Sequence, residues 1–72
     1  MRDWRRIVGN NVRILRLARG MTQERLAFAS ELDLTYVGGI ERGRRNPSLL
    51  VMVRIADALD ASLADLIAEP CD

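Results

Sequence analysis

The sequence predicts an all-α fold, a compact arrangement of five short helices, and three observations carry that prediction. Apolar residues recur in successive stretches at the spacing of a helix with one buried face. No segment alternates with the period of two that a half-buried strand requires. Capping residues and glycines divide the chain into five pieces joined by short turns, with no linker, repeat or low-complexity stretch. At 72 residues, 49% of them apolar, the expectation is a single domain over 1–72 with its core at about 5–69.

The first helix runs from about Trp4 to Arg19, with Val8, Val12 and Leu15 as its core stripe. Gly20 stands where a C-terminal glycine belongs. Thr22 is an N-cap for a second helix, Gln23 to Ser30, which turns Leu26 and Ala27 inward. Asp33 is an N-cap for a third helix that buries Val37 and Ile40 and ends at Gly43. Ser48, after Pro47, caps a fourth helix from Leu49 to Leu59, with Leu49, Met52, Ile55, Ala56 and Leu59 on one face. Ser62 opens the fifth, and Asp65 three residues later completes a capping-box pattern. Leu63, Leu66 and Ile67 form its apolar face, and Pro70 stops it.

The net charge of +1 conceals a segregation. Residues 1–54 contain all eleven arginines against five acids, a net +6, whereas residues 55–72 contain five acids and no base. One end of the molecule therefore suits a polyanion. There is no histidine, no metal-ligand constellation and no glycine-rich phosphate loop, so the chemistry of an enzyme, a cofactor or a metal site is not expected. The single cysteine, Cys71, has no internal partner for a disulfide. That suits a reducing cytoplasm, as does the lack of a signal peptide or of an apolar run near the roughly 18 residues of a membrane span.

The second and third helices, short and joined by a tight turn, have the layout of a helix-turn-helix unit over about 23–42. The close crossing of the two helices needs a small residue at the fifth position, where Ala27 stands. The apolar positions hold Leu26, Leu32, Val37 and Ile40. Two positions fit less well. Glu31 occupies a turn position that favours positive φ, at a cost of about 1 kcal/mol. Ser30 replaces a normally apolar residue, which leaves that spot underpacked or hydrogen-bonded back to the helix.

Val12–Ile67 resembles the Xre family of DNA-binding domains, the group that includes the lambda repressor and Cro. The resemblance rests on RLARGMTQ at Arg16–Gln23, Leu26-Ala27, TYVGGIERGRRNPSL at Thr35–Leu49, RIADAL at Arg54–Leu59 and Ser62-Leu63. The fold it implies is the five-helix lambda-repressor-like domain. Within the family, Leu32-Asp33, Thr35-Tyr36-Val37 and Gly39-Ile40-Glu41-Arg42 are similar to the controller proteins of restriction–modification systems. The implied function is a transcriptional regulator of double-stranded DNA, a homodimer on a palindromic operator, with RNA polymerase as a further candidate partner and no small-molecule ligand.

By that resemblance Leu34, Thr35, Tyr36 and Gly39 face the bases. Thr22, Gln23, Arg42, Arg44, Arg45, Asn46 and Ser48 contact phosphates, and Arg2, Arg5, Arg6 and Arg13 are candidates to extend the basic surface. Three guanidiniums within four residues, just after a groove helix, suit bidentate phosphate binding. Leu34 stands where the family often has Arg or Gln, so its readout is confined to apolar contact with a thymine methyl. Glu41 is expected to orient an arginine or cap the turn. Gly38-Gly39 has two readings: a bare surface that lets the helix sit deep in the groove, or a surface that has lost its contacts. With direct readout thin, part of the specificity would come from DNA shape.

Leu50, Val51 and Val53 fall off the core stripe of the fourth helix and, with Leu63 and Ile67, form a candidate dimer face. The alternative is a larger core. A second functional class is a protein-interaction module, an adaptor or an antitoxin, using the same fold.

Overall fold

The computed structural model describes residues 2–70, so Cys71 lies outside the described residues. The elements are α1 (Trp4–Ala18), α2 (Gln23–Ser30), α3 (Leu34–Glu41), α4 (Leu49–Ala58) and α5 (Leu63–Leu66). The described residues contain no strand. No helix among them is long and apolar enough to cross a membrane.

Most of the punctuation acts as the sequence implies. The Asp3 carboxylate accepts from the Arg6 N–H at the start of α1. The hydroxyls of Thr22 and Ser48 accept from Arg25 N and Val51 N at 3.0 and 3.2 Å. Gly20 and Gly43 take positive φ after α1 and α3. At α5 the capping box is complete: Ser62 Oγ accepts from Asp65 N, and the Asp65 carboxylate accepts from Ser62 N. These bonds, the backbone one first, hold the Asp65 pKa below its ordinary value. Its stabilising contribution is therefore present at neutral pH and lost as pH falls through that lowered value.

Four expectations need correction. Asp33 holds the N-cap position of α3, but its side chain makes no capping bond. The third helix ends at Glu41, two residues before Gly43, with Arg42 as its C-cap. Helix α5 ends at Leu66, well before Pro70, and the Asn11 side chain donates to the carbonyls of Leu66 and Ala68 just past that end, at 2.8 and 2.9 Å. Pro70 has no N–H to offer the Leu66 carbonyl, so Asn11 supplies a donor that the chain after α5 cannot. Finally, Leu49 is 58% exposed. It belongs to the first turn of α4, which follows a non-helical approach through residues 44–48, and the buried stripe starts one turn later.

The core consists of Val8, Val12, Leu26, Ala27, Val37, Ile40, Ile55, Ala56, Leu59 and Leu66, drawn from all five helical segments, with Leu15 and Met52 packed at its edge. Two arginines fasten the frame from outside. Arg19 donates to the carbonyls of Leu59 and Asp60, and Arg54 to those of Ser30 and Glu31. The carbonyls left over at helix ends thereby gain charged donors.

Gly9 sets how closely α1 approaches α3. A Cβ built there would lie 2.1 Å from the Ile40 carbonyl oxygen, which is backbone and cannot swing aside. Gly9→Ala is expected to lower folding stability by about 1–3 kcal/mol in urea denaturation, despite alanine's better helix propensity.

Candidate nucleic-acid interface

Helices α2 and α3 cross through Ala27, and the two doubtful positions of the motif resolve simply. Glu31 adopts the left-handed conformation at φ 58°. Buried Ser30 donates from its hydroxyl to the Leu26 carbonyl at 2.6 Å, the back-bonded alternative. The turn thus keeps its shape without an apolar residue at Ser30 or a glycine at Glu31.

Two of the four residues singled out for bases are exposed on α3. Leu34 and Thr35 are exposed at the start of α3, while Tyr36 is half-buried and packs partly on the core. Gly38 and Gly39 are buried. What covers them is the chain's own arginines. A Cβ on Gly38 would meet the Arg42 guanidinium at 3.2 Å, and one on Gly39 would meet Arg45 Cγ at 2.9 Å. The Arg45 guanidinium carbon then lies 5.7 Å from the centre of the Tyr36 ring, within cation–π range. Arg45 therefore folds back along α3 through the groove left by a missing side chain.

The remaining phosphate candidates divide by the work they already do. The hydroxyls of Thr22 and Ser48 cap their own helices. Gln23 donates from Nε2 to Glu41 Oε1 at 3.0 Å, which fixes its amide at the head of α2. Arg42, Arg44, Arg45 and Asn46 are exposed around the turn after α3. Among the described residues the ion pairs are Arg2–Glu69 and Arg16–Glu41, so none of these three arginines has a carboxylate partner there.

Behind this surface stands a buried pair. Arg16 donates from Nε and Nη2 to Glu41 at 2.7 and 3.0 Å, and from Nη1 to the Met21 carbonyl at 2.8 Å. The hydrogen bond to Glu41 raises the Arg16 pKa above its ordinary value. Glu41 does orient an arginine, but the partner is Arg16 on α1, not its neighbour Arg42. The sequence carries a signal for it: Arg16 continues the stripe Val8, Val12 at i+4, so it points at the core and must find a partner there. The pair with Gln23 locks α1, the start of α2 and the end of α3 together.

At the other end, Leu50 is 72% exposed and Ile67 45%. Val51, Val53 and Leu63 are half-buried, and Val51 packs against the core. Trp4, Val8, Pro47, Met52 and Ile67 line an apolar groove of about 320 Å³ beside them.

Known proteins match this arrangement over most of its length. A family model described as Helix-turn-helix matches residues 12–66. Control protein C.BamHI of Bacillus amyloliquefaciens is 44% identical over 64 residues, covering 88% of this chain and 79% of that protein. An uncharacterized HTH-type transcriptional regulator of Sinorhizobium fredii, y4dJ, is 38% identical over 65 residues, covering 90% and 84%. The crystal structure of the restriction-modification controller protein C.AhdI from Aeromonas hydrophila superposes with a TM-score of 0.84 at 48% identity, covering 86% of this chain and 94% of that one. The chain belongs to the Helix-turn-helix family of transcriptional regulators.

Proposed function

We propose that this protein is a sequence-specific regulator of transcription that binds double-stranded DNA in the cytoplasm as a homodimer on a palindromic operator. The observation that carries this reading is the outer face of α3, bordered by Arg42, Arg44 and Arg45 without carboxylate partners among the described residues. Helix α3 has eight residues, about 12 Å of axis, enough for a few base pairs and no more. A specific site then needs a second reading helix about one DNA turn away, roughly 34 Å. A single chain measures 32 × 21 × 19 Å and has one such helix, so a second copy supplies the other.

Thr35 and Leu34 meet bases, the latter through a thymine methyl. Arg45, held along Gly39 onto Tyr36, supplies the fork of donors that Leu34 lacks, and so reads a base and not a phosphate. Arg42, Arg44, Asn46 and the helix N-termini at Thr22-Gln23 and Ser48 bind phosphates. Leu50, Ile67 and the half-buried Val51, Val53 and Leu63 form the dimer face. Likeness to two named controller proteins favours control of a restriction–modification system as the biological role, exerted by promoter occlusion or by contact with RNA polymerase.

Affinity for duplex DNA measured against salt tests the DNA reading. With two phosphates neutralised per subunit, by Arg42 and Arg44, log Kobs of the homodimer should fall against log salt with a slope of about −4. A flat response contradicts DNA binding and favours the adaptor or antitoxin use of the fold.

A further inference from the structure

A cavity of about 500 Å³ lies between α1 and the C-terminal end of α3, lined by Arg6, Ile7, Asn10, Asn11, Glu41, Arg42 and Pro70. Two features give it a chemical character. Arg6, Asn10 and Arg42 are exposed at its rim, so two guanidiniums and an amide border one opening. The acids nearby are already engaged. Glu41 is held by Arg16 and Gln23, Glu69 pairs with Arg2, and Asp3 accepts from the main-chain N–H of Arg6. Two like charges left around one cavity are relieved by an anion.

The position of the cavity says which anion. Arg42 borders it and also packs over Gly38 on α3, while the Arg6 stem lies against Gly43 in the turn that carries Arg44 and Arg45. Two of the residues lining the cavity thus also border α3 and the arginine-bearing turn after it. We propose that it is a phosphate-binding site that takes a phosphodiester of the DNA flanking the bases faced by α3. Arg6 and Arg42 supply the charge, and Asn10 supplies an amide donor. Asn11 builds the floor, since its amide is spent on the Leu66 and Ala68 carbonyls. The site rests on the DNA-binding reading for its occupant, but not for its chemistry.

Two variants test it: Arg6→Gln, which keeps the methylenes packed on Gly43, and Asn10→Asp, which puts a carboxylate at the rim. Each is compared with wild type for the salt slope of DNA binding and for phosphate-ethylation interference. The expected result is a slope shallower by about 0.9 per subunit, loss of one flanking phosphate from the interference pattern, and an unchanged selected sequence. An unchanged slope and pattern in both variants overturn the proposal. Inorganic phosphate, added without DNA, separates its failure from that of the DNA reading. Wild type should show saturable NMR shifts of the Arg6 Nε–H and the Asn10 amide that Arg6→Gln removes, whether or not DNA binds. No shift overturns the pocket itself. Shifts with an unaltered DNA slope overturn the phosphodiester assignment in favour of a free phosphate ligand.

Discussion

Glu41→Ala is expected to lower folding stability by about 3–5 kcal/mol, the usual result of leaving one member of a buried ion pair uncompensated. A 72-residue domain has roughly 4–11 kcal/mol in total, so the variant should be largely unfolded or melt far below wild type. Three partnerships fail together, because Arg16 loses both carboxylate bonds and Gln23 loses its acceptor. Arg16→Met should destabilise by a similar amount through the stranded carboxylate. The double variant Arg16→Met/Glu41→Leu should recover most of the loss, since an apolar pair of similar volume removes both desolvation penalties. Urea denaturation followed by far-UV circular dichroism measures all three. A loss below about 1 kcal/mol for Glu41→Ala would mean the pair behaves like a surface one.

The second large effect concerns DNA affinity at nearly constant stability. Arg45→Ala is expected to weaken operator binding by about 1–3 kcal/mol per subunit and to relax the preference at one base pair of each half-site. Arg44→Ala, a phosphate contact, should weaken all sequences alike and make the salt slope shallower by about one per subunit, about two for the dimer. Gly39→Ala separates the two readings of the glycine pair. Its methyl would sit 2.9 Å from Arg45 Cγ and push that side chain off α3. Folding should be unchanged or stabilised by up to about 1 kcal/mol, because alanine is the better helix former and the neighbour is flexible. Operator affinity should nonetheless fall towards that of Arg45→Ala. If Gly39→Ala binds as wild type does, the arginine does not read bases from the groove over Gly39.

The fold was legible where it depended on local rules. Thr22, Ser48 and the Ser62–Asp65 box reveal helix starts because each side chain bonds a backbone group within three residues. The conformation of Glu31 followed from its position in the motif, and the back-bond of Ser30 is one of the two alternatives its position left open. Features that depend on distant residues were not legible. The carbonyls left at the end of α5 are satisfied by Asn11, 55 residues before Leu66 in sequence. Leu49 continues the helical period of its stripe, but periodicity does not say where the neighbouring elements stop.

For the candidate site, sequence shows which residues surround α3 but not which arginines are engaged within the protein. The charge count treated the arginines of residues 1–54 as one basic surface, yet Arg16, Arg19 and Arg54 are occupied with carboxylate or carbonyl partners inside the protein. Pairing of that kind is invisible to composition. Arg2 pairs with Glu69, which leaves Arg5, Arg6, Arg13, Arg25, Arg42, Arg44 and Arg45 exposed among the described residues, and Arg42, Arg44 and Arg45 are the ones grouped at the end of α3. The glycine pair looked like an empty surface because sequence shows the missing side chains and not the arginines that return to cover them.

Selection of bound duplexes from a random pool tests the central claim most directly. The account predicts a palindromic consensus with two half-sites about one DNA turn apart. Repeating the selection with Arg45→Ala should lose information at one base pair of each half-site. Recovery of no consensus by the wild-type protein, or of an isolated half-site without symmetry, would contradict a homodimer that reads its operator through α3.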